Sequence, residues 1–231
     1  MFDLYGTLVD IRTDEYSQKF KNSYAKYIAE EWGADGSFFE KLSAGLARYG
    51  GFSEPDFVPV LCDAVNASGG RISACGAVEA AQKYRTLSTR KLKLYHGVVN
   101  LLKVVKKSGA KTYLLSNAQA VFTLHELKIL GIYDYFDAVV LSSDFGQKKP
   151  SPDFFAHLIS KYSLDVSKTV FTGNDLECDI VPAKRAGMYA VYFKSAISPA
   201  GDTLAQARQI ADFAAEGSFT AVANHLITLL S

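Results

Sequence analysis

Apolar positions fall into two regimes along the chain. From about Thr13 to Leu94 they recur every three or four residues: in YSQKFKNSYAKYIAEEW, Tyr16, Phe20, Tyr24, Tyr27, Ile28 and Trp32 make one stripe along one helix. Gly33-Ala34-Asp35-Gly36-Ser37 interrupts that helix. Further helices are predicted at FFEKLSAGLARYG, PDFVPVLCDAVNAS and CGAVEAAQKYRTLSTRKLKL, with joints at Gly50-Gly51 and Gly69-Gly70, and no strand is predicted in this stretch.

After Tyr95-His96-Gly97 the pattern changes to helices alternating with short buried strands. VVNLLKVVKKSG reads as a helix stopped by Gly109, and KTYLLSN as a strand ending at Ser116-Asn117. The cycle repeats as a helix over Val121 to Leu130, strand DAVVLSSD, helix SPDFFAHLISKYS, strand TVFTGND, helix IVPAKRAGM and strand YAVYF. Continuously apolar strands alternating with helices belong to a parallel sheet covered on both faces. FDLYGTLVD supplies one more such strand, so the pattern predicts a doubly wound α/β core with a helical insertion after its first strand. Only Met1 and Phe2 precede Asp3, short of the ~5–6 residues of an ordinary strand. That predicts either a clipped first strand or a start assigned a few residues too late.

The 231 residues are 48% apolar and 21% charged, with 13 Tyr and 15 Phe, which supports a substantial core and argues against disorder. Lys and Arg number 25 against 24 Asp and Glu, so no basic excess points to nucleic acid or to an acidic membrane surface. No apolar run approaches the ~18 residues of a membrane span, and the first residues carry acids instead of a basic and then apolar leader. Cys62, Cys75 and Cys178 are odd in number, widely spaced and without a CxxC pair, which fits free thiols in a reducing compartment and a cytoplasmic location. Nothing in the pattern sets an oligomeric state.

Ligands of a doubly wound sheet gather beyond the carboxyl ends of its strands. Those ends carry Asp3, Thr7 and Asp10, then Ser116 and Asn117, then Lys148 and Lys149, then Asn174, Asp175 and Asp179. Asp3 is a candidate carboxylate nucleophile, and Ser116 with Asn117 a candidate donor pair for developing negative charge. A lysine supplies a cation, and the last group is an acidic metal candidate. Together they suit a small anionic metabolite. Each also has an ordinary structural reading: Asp3 ends a strand, Ser-Asn is a common turn, and an Asp at position 179 stabilises a helix N-terminus by ~0.3–1 kcal/mol.

The segments FDLYGTLVD, LLSNA, KKPSPDFF and TGNDLECDI, in that order and with a helical insertion between the first two, resemble the haloacid dehalogenase superfamily of hydrolases. AKRAGM resembles the helix that follows the family's acidic loop. The resemblance implies a Rossmann-like doubly wound parallel-sheet core over residues 1–12 and 95–231, an all-helical mobile cap over 13–94, and hydrolysis through an aspartyl enzyme intermediate. It makes Asp3 the nucleophile and Lys149, before Pro150, the cation that holds nucleophile and phosphoryl group together. Hinges are expected near Val9-Asp10-Ile11 and Tyr95-His96-Gly97. The family's phosphatases use Mg²⁺.

Two positions depart from the phosphatase pattern. Tyr5 stands where phosphatases of the family carry a second Asp, which protonates the leaving alkoxide and then activates water. The dehalogenases have Tyr there, and a halide needs no proton. Asn174 stands where phosphatases have Asp, which weakens Mg²⁺ binding unless Asp175 compensates. Neither Arg12 nor Arg48 matches the cap-side Arg of dehalogenases. The expectation is a Mg²⁺-dependent phosphatase of a small phosphorylated metabolite. Asp3, Tyr5 and Lys149 would be catalytic, Thr7, Ser116 and Asn117 would bind substrate, and Asp3, Tyr5, Asn174, Asp175 and Asp179 would surround the metal. The alternatives are a 2-haloacid dehalogenase and a weakly active protein that binds a phosphorylated ligand.

Overall fold

Short, continuously apolar runs have no polar face to offer water, so they end up between two helical layers. The computed structural model describes residues 1–230. The chain enters β1 (Val9–Thr13), crosses four helices, α1 (Gln18–Trp32), α2 (Phe38–Leu46), α3 (Phe57–Ala67) and α4 (Ala74–Ser88), and returns through β2 (Thr89–Leu94). Next come α5 (Val98–Ser108), β3 (Tyr113–Ser116), α6 (Ala120–Ile129), β4 (Ala138–Leu141), α7 (Ser142–Phe145) and α8 (Pro152–Lys161). The last part runs β5 (Val170–Gly173), α9 (Val181–Arg185), β6 (Tyr189–Lys194), α10 (Leu204–Ile210), β7 (Phe213–Glu216) and α11 (Phe219–Thr228).

β3 pairs in parallel with β4, and β5, β6 and β7 pair in parallel in that order. Phe2 joins the two groups by parallel bridges to Leu114 of β3 and Thr172 of β5. The sheet order is therefore β4-β3-Phe2-β5-β6-β7. The first strand of the core is this single bridged residue, with Phe2 N–H donating to Tyr113 O at 2.9 Å and Asp3 N–H to Thr172 O at 2.9 Å. On one face Leu101, Leu102 and Val105 of α5 pack with Phe219, Val222 and Leu226 of α11. On the other, Phe154, Phe155 and Leu158 of α8 pack with Ala183 of α9 and Ala207 of α10. Among the described residues no helix is long and apolar enough to cross a membrane.

Residues 18–88 are helical for local reasons as well as packing ones. Ser17, Asp56 and Ser73 each accept a main-chain N–H in the first turn of α1, α3 and α4, and Gly33 ends α1 in the left-handed region at φ +74°. Phe20, Tyr24 and Ile28 are buried in an apolar cluster of their own, while Tyr16 lies outside the stripe and is 90% exposed. Tyr84 of α4 meets Phe20 and Tyr24 edge-on at 4.8 and 5.1 Å.

Three expectations from the pattern change. TRKLKL is a strand and not the end of a helix: β2 pairs antiparallel with β1, from Val9 opposite Leu94 to Thr13 opposite Thr89. Ser88 and Thr89 hydroxyls donate to Arg85 O and close α4, and the period-two placing of Leu92 and Leu94 lets both pack on the core. The hinge segments expected near residues 9–11 and 95–97 are thus joined by a two-stranded ribbon. Asp10 pairs across it with Lys91. Secondly, IVPAKRAGM is preceded by a wide helical turn, Leu176–Ile180, before the short α9. Thirdly, α10, β7 and α11 extend the sheet beyond YAVYF, where no element was predicted.

Tyr24 has no exposure and its hydroxyl donates to Ala80 O at 2.9 Å, so it holds α1 to α4 by ring and by bond. Tyr24→Ala is expected to cost ~3–5 kcal/mol and Tyr24→Phe only ~1 kcal/mol, both read from urea unfolding midpoints.

Candidate active site

Asp3 follows the bridged Phe2 directly, at the carboxyl end of its strand. Its two oxygens are fully engaged: Thr7 Oγ1 donates to Oδ2 at 3.0 Å, and Ser116 Oγ and Lys149 Nζ donate to Oδ1 at 3.0 and 2.8 Å. Lys149 Nζ also donates to Asp179 Oδ1 at 2.6 Å. Asp179 Oδ2 accepts the main-chain N–H groups of Asn174 and Asp175 at 3.0 and 3.1 Å. All of these side chains are buried, Lys149 to 3% exposure. Burial draws the Lys149 ammonium towards neutrality, but the Asp179 and Asp3 carboxylates outweigh it and hold it well above the ordinary lysine range. Burial pushes the Asp179 carboxyl up, opposed by Lys149.

Two glycines make this approach possible. Gly6 turns the loop at φ +85°, and a Cβ there would collide with the Asn174 amide; a Cβ on Gly173 would collide with the Asp179 carboxylate.

Other expected site residues sit differently. The Asn117 amide is taken up by the Lys149 main chain, accepting its N–H at 2.7 Å and donating to its carbonyl at 3.0 Å. It therefore positions the Lys149 main chain. Asp175 Oδ1 accepts Cys178 N–H at 2.8 Å and caps the following turn. Burial and the neighbouring carboxylates push the Cys178 thiol up to about 12, so it stays protonated and is no nucleophile. Lys148 pairs with Glu54 at 3.4 Å. His96 Nδ1 lies 3.2 Å from Thr220 Oγ1, a structural contact.

Tyr5 is turned towards α6. Its hydroxyl donates to Glu126 Oε2 and lies 3.0 Å from Thr123 Oγ1. Glu126 in turn accepts Arg85 Nε at 2.6 Å, and the guanidinium stands 5.4 Å from the Tyr5 ring centre. Burial and the Glu126 carboxylate raise the Tyr5 hydroxyl far above its usual range. Pattern reading missed Arg85, Thr123 and Glu126. The one available signal was Glu126 on the buried stripe of α6, between Phe122, Thr123 and Leu127.

A family model described as haloacid dehalogenase-like hydrolase matches residues 1–187. The chain belongs to this family. Among curated proteins, it is 31% identical over 108 residues to a glyceraldehyde 3-phosphate phosphatase of Methanocaldococcus jannaschii, covering 47% of each. It is 27% identical over 117 residues to a ribulose-1,5-bisphosphate 5-phosphatase of Halopiger xanaduensis, 51% of this chain and 49% of that one. The chain spans about half the length of the curated relatives it matches. Of solved structures, a HAD phosphatase from Thermococcus onnurineus superposes with a TM-score of 0.63 at 20% identity, over 97% of this chain and 95% of that one. A 2-haloacid dehalogenase from Pseudomonas syringae gives 0.61 at 20% identity, over 97% and 96%. The Rossmann-like fold of the family is thereby shown, and phosphatase and dehalogenase chemistries both use it.

The haloacid dehalogenase-like fold raises the question of Mg²⁺. Among the described residues no three His, Cys, Asp or Glu side chains converge. What does converge is oxygen of mixed origin. The inner atom of the Asn174 amide lies 3.1 Å from the Tyr5 main-chain oxygen, 3.1 Å from Thr7 Oγ1 and 3.3 Å from Asp3 Oδ2. With its nitrogen inward, Asn174 donates to these acceptors. With its oxygen inward, it completes a cradle of one carboxylate, one amide and one carbonyl oxygen. A hard cation that takes one or two carboxylates and keeps several waters fits that set. Asp175 and Asp179 are bonded to other partners, Cys178 N–H and Lys149 Nζ.

Lys149 separates two buried carboxylates, so removing it leaves both uncompensated. Lys149→Met is expected to destabilise the fold by ~3–5 kcal/mol, measured by urea unfolding, and to do so more than Lys148→Met, whose ammonium is half exposed.

Proposed function

We propose that the chain is a phosphoric monoester hydrolase acting on a small phosphorylated metabolite, with Asp3 as nucleophile. The observation that carries this reading is the Lys149 ammonium, buried against the Asp3 and Asp179 carboxylates. A fixed cation beside a carboxylate nucleophile offsets the repulsion between that carboxylate and an incoming phosphoryl dianion. The names of the curated relatives, phosphatases of small phosphorylated metabolites, support it. The runner-up, a 2-haloacid dehalogenase, is favoured by Tyr5 alone.

In this reading an Asp3 oxygen attacks phosphorus while the ester oxygen departs, and water then releases phosphate from Asp3. Ser116 and Thr7 hydroxyls, which hold Asp3 in the resting site, would turn to the phosphoryl oxygens. Asn117 would fix the Lys149 main chain so that its ammonium cannot drift. Asp3, the Tyr5 main-chain oxygen and Asn174 would hold Mg²⁺, which would neutralise charge on the transferring group when bound. Residues 1–12 and 95–231 would be the catalytic core, and 13–94 a cap hinged on the β1–β2 ribbon that excludes water. Free Cys62, Cys75 and Cys178 support a reducing, cytoplasmic location.

With Mg²⁺ the protein is expected to release phosphate from p-nitrophenyl phosphate and Asp3→Asn to fall to background; chloride release from 2-chloropropionate without Mg²⁺ would overturn the reading. Asn174→Asp adds a charge to the cradle and is expected to tighten Mg²⁺ binding by roughly tenfold or more in calorimetric titration.

A further inference from the structure

We infer that the substrate carries its phosphoryl group on an aryl or acyl oxygen of an apolar body, a leaving group that departs without taking a proton. This rests on the phosphatase reading above. An alkoxide is a poor leaving group, and a positioned acid that protonates it contributes ~10²–10⁴-fold. Beside Asp3 the Lys149 ammonium is held between two carboxylates, and the Asp179 oxygens accept that ammonium and two main-chain N–H groups, so neither is placed to protonate a leaving group. The Tyr5 hydroxyl, nearest in sequence, donates its hydrogen bond to Glu126 and has Thr123 Oγ1 at 3.0 Å. Glu126 in turn accepts Arg85 Nε at 2.6 Å and Nη2 at 3.4 Å. A proton passed from Tyr5 to substrate would leave a phenolate facing that carboxylate in a buried site, where the nearby cation, Arg85, is already shared between Glu126 and Glu15.

The remaining acids on this side are also committed. A cleft of about 360 Å³ opens between the helical block and the core beside Tyr5 and Asn117. Two more carboxylates reach it. Glu15 pairs with Arg85 at 3.6 Å; Glu54 accepts Gln119 Nε2 at 2.9 Å and pairs with Lys148 at 3.4 Å. Ile11, Leu46, Phe57, Tyr84 and Phe122 line the cleft as well, together with the hydroxyls of Thr13 and Thr123. The aromatic and aliphatic side chains give an apolar leaving group a surface to pack on, and the hydroxyls are too weakly acidic to protonate an alkoxide.

The chemistry balances without an acid. An Asp3 oxygen forms a bond to phosphorus, the P–O bond to the leaving group breaks, and its electron pair stays on the departing carboxylate or aryloxide. Water then attacks phosphorus, the Asp3–phosphorus ester bond breaks, and the water proton passes to solvent with inorganic phosphate.

The test is kcat/KM, which reports transfer to Asp3, for benzoyl phosphate, p-nitrophenyl phosphate, phenyl phosphate, 2-phosphoglycolate and glycerol 3-phosphate, all with Mg²⁺. The expected result is a fall of at least ~100-fold from the first two to the alkyl esters, and a narrowing of that gap in Tyr5→Asp. Alkyl esters within tenfold of benzoyl phosphate in the unmodified protein would overturn the inference and leave the phosphatase reading intact. Phosphate release from none of the five would overturn both. Because the unmodified protein decides the outcome, a Tyr5→Asp variant that fails to fold does not weaken the test.

Discussion

One buried ammonium organises the site. Lys149 Nζ lies between Asp3 and Asp179, which come from opposite ends of the sequence and are both nearly devoid of solvent. Its charge offsets the repulsion between the two carboxylates it bonds. The lysine is itself held by main-chain bonds to Asn117, which leaves β3, while Asp179 is held by two N–H groups of the loop leaving β5. Three strand ends are therefore tied together through one charge. Displacing any of these loops would strand a buried charge, so the loops are fixed relative to one another more firmly than their lack of regular structure suggests.

That constraint matters more here because the element carrying Asp3 is so short. Phe2 is the only residue bridged to both neighbouring strands, and the backbone turns away at once through Leu4 to Val9. Sheet bonding alone would define Asp3 poorly. Its carboxylate is defined instead by the donors around it, Thr7 and Ser116 hydroxyls and the Lys149 ammonium. Position is thus exchanged between partners: Asp3 fixes Lys149 as much as Lys149 fixes Asp3.

What could be read from the sequence and what could not divide along physical lines. Asp3, Thr7, Ser116 and Lys149 were legible because each ends or follows an apolar run, and strand ends of a parallel sheet converge by topology. The helices of residues 18–88 were legible from period and caps. The role of Asn117 was not, because Ser-Asn after a strand looks the same whether its amide faces substrate or the chain next door. Glu126 and Arg85 were invisible for a different reason: they reach Tyr5 across 121 and 80 positions of sequence, and a single charged residue on a helix reads as surface until its packing is known. β2 was misread because four of its residues, Arg90, Lys91, Leu92 and Lys93, also suit a helix end; only the pairing with β1 selects the strand.

The two departures from the phosphatase pattern act on the same place and in the same direction. Tyr5 and Asn174 each put a neutral side chain where the family's phosphatases have an acid, and they meet at the Tyr5 main-chain oxygen. Asp3 and Asp179 flank the one ammonium of Lys149, so the centre has two acidic side chains beside it instead of four. In the proposed reaction a phosphoryl dianion entering it would meet less repulsion, and less of its approach would depend on a divalent cation to screen like charges. The same change takes away the group that would move a proton. Charge balance and proton transfer would usually be supplied by overlapping acids in such sites; in the proposed reaction Lys149 would preserve the first while the second is withdrawn, because the Tyr5 hydroxyl anchors the loop that carries Asp3 to α6 and, through Glu126 and Arg85, to α4. Where an acid would stand, that loop has a mechanical tie to the helical block.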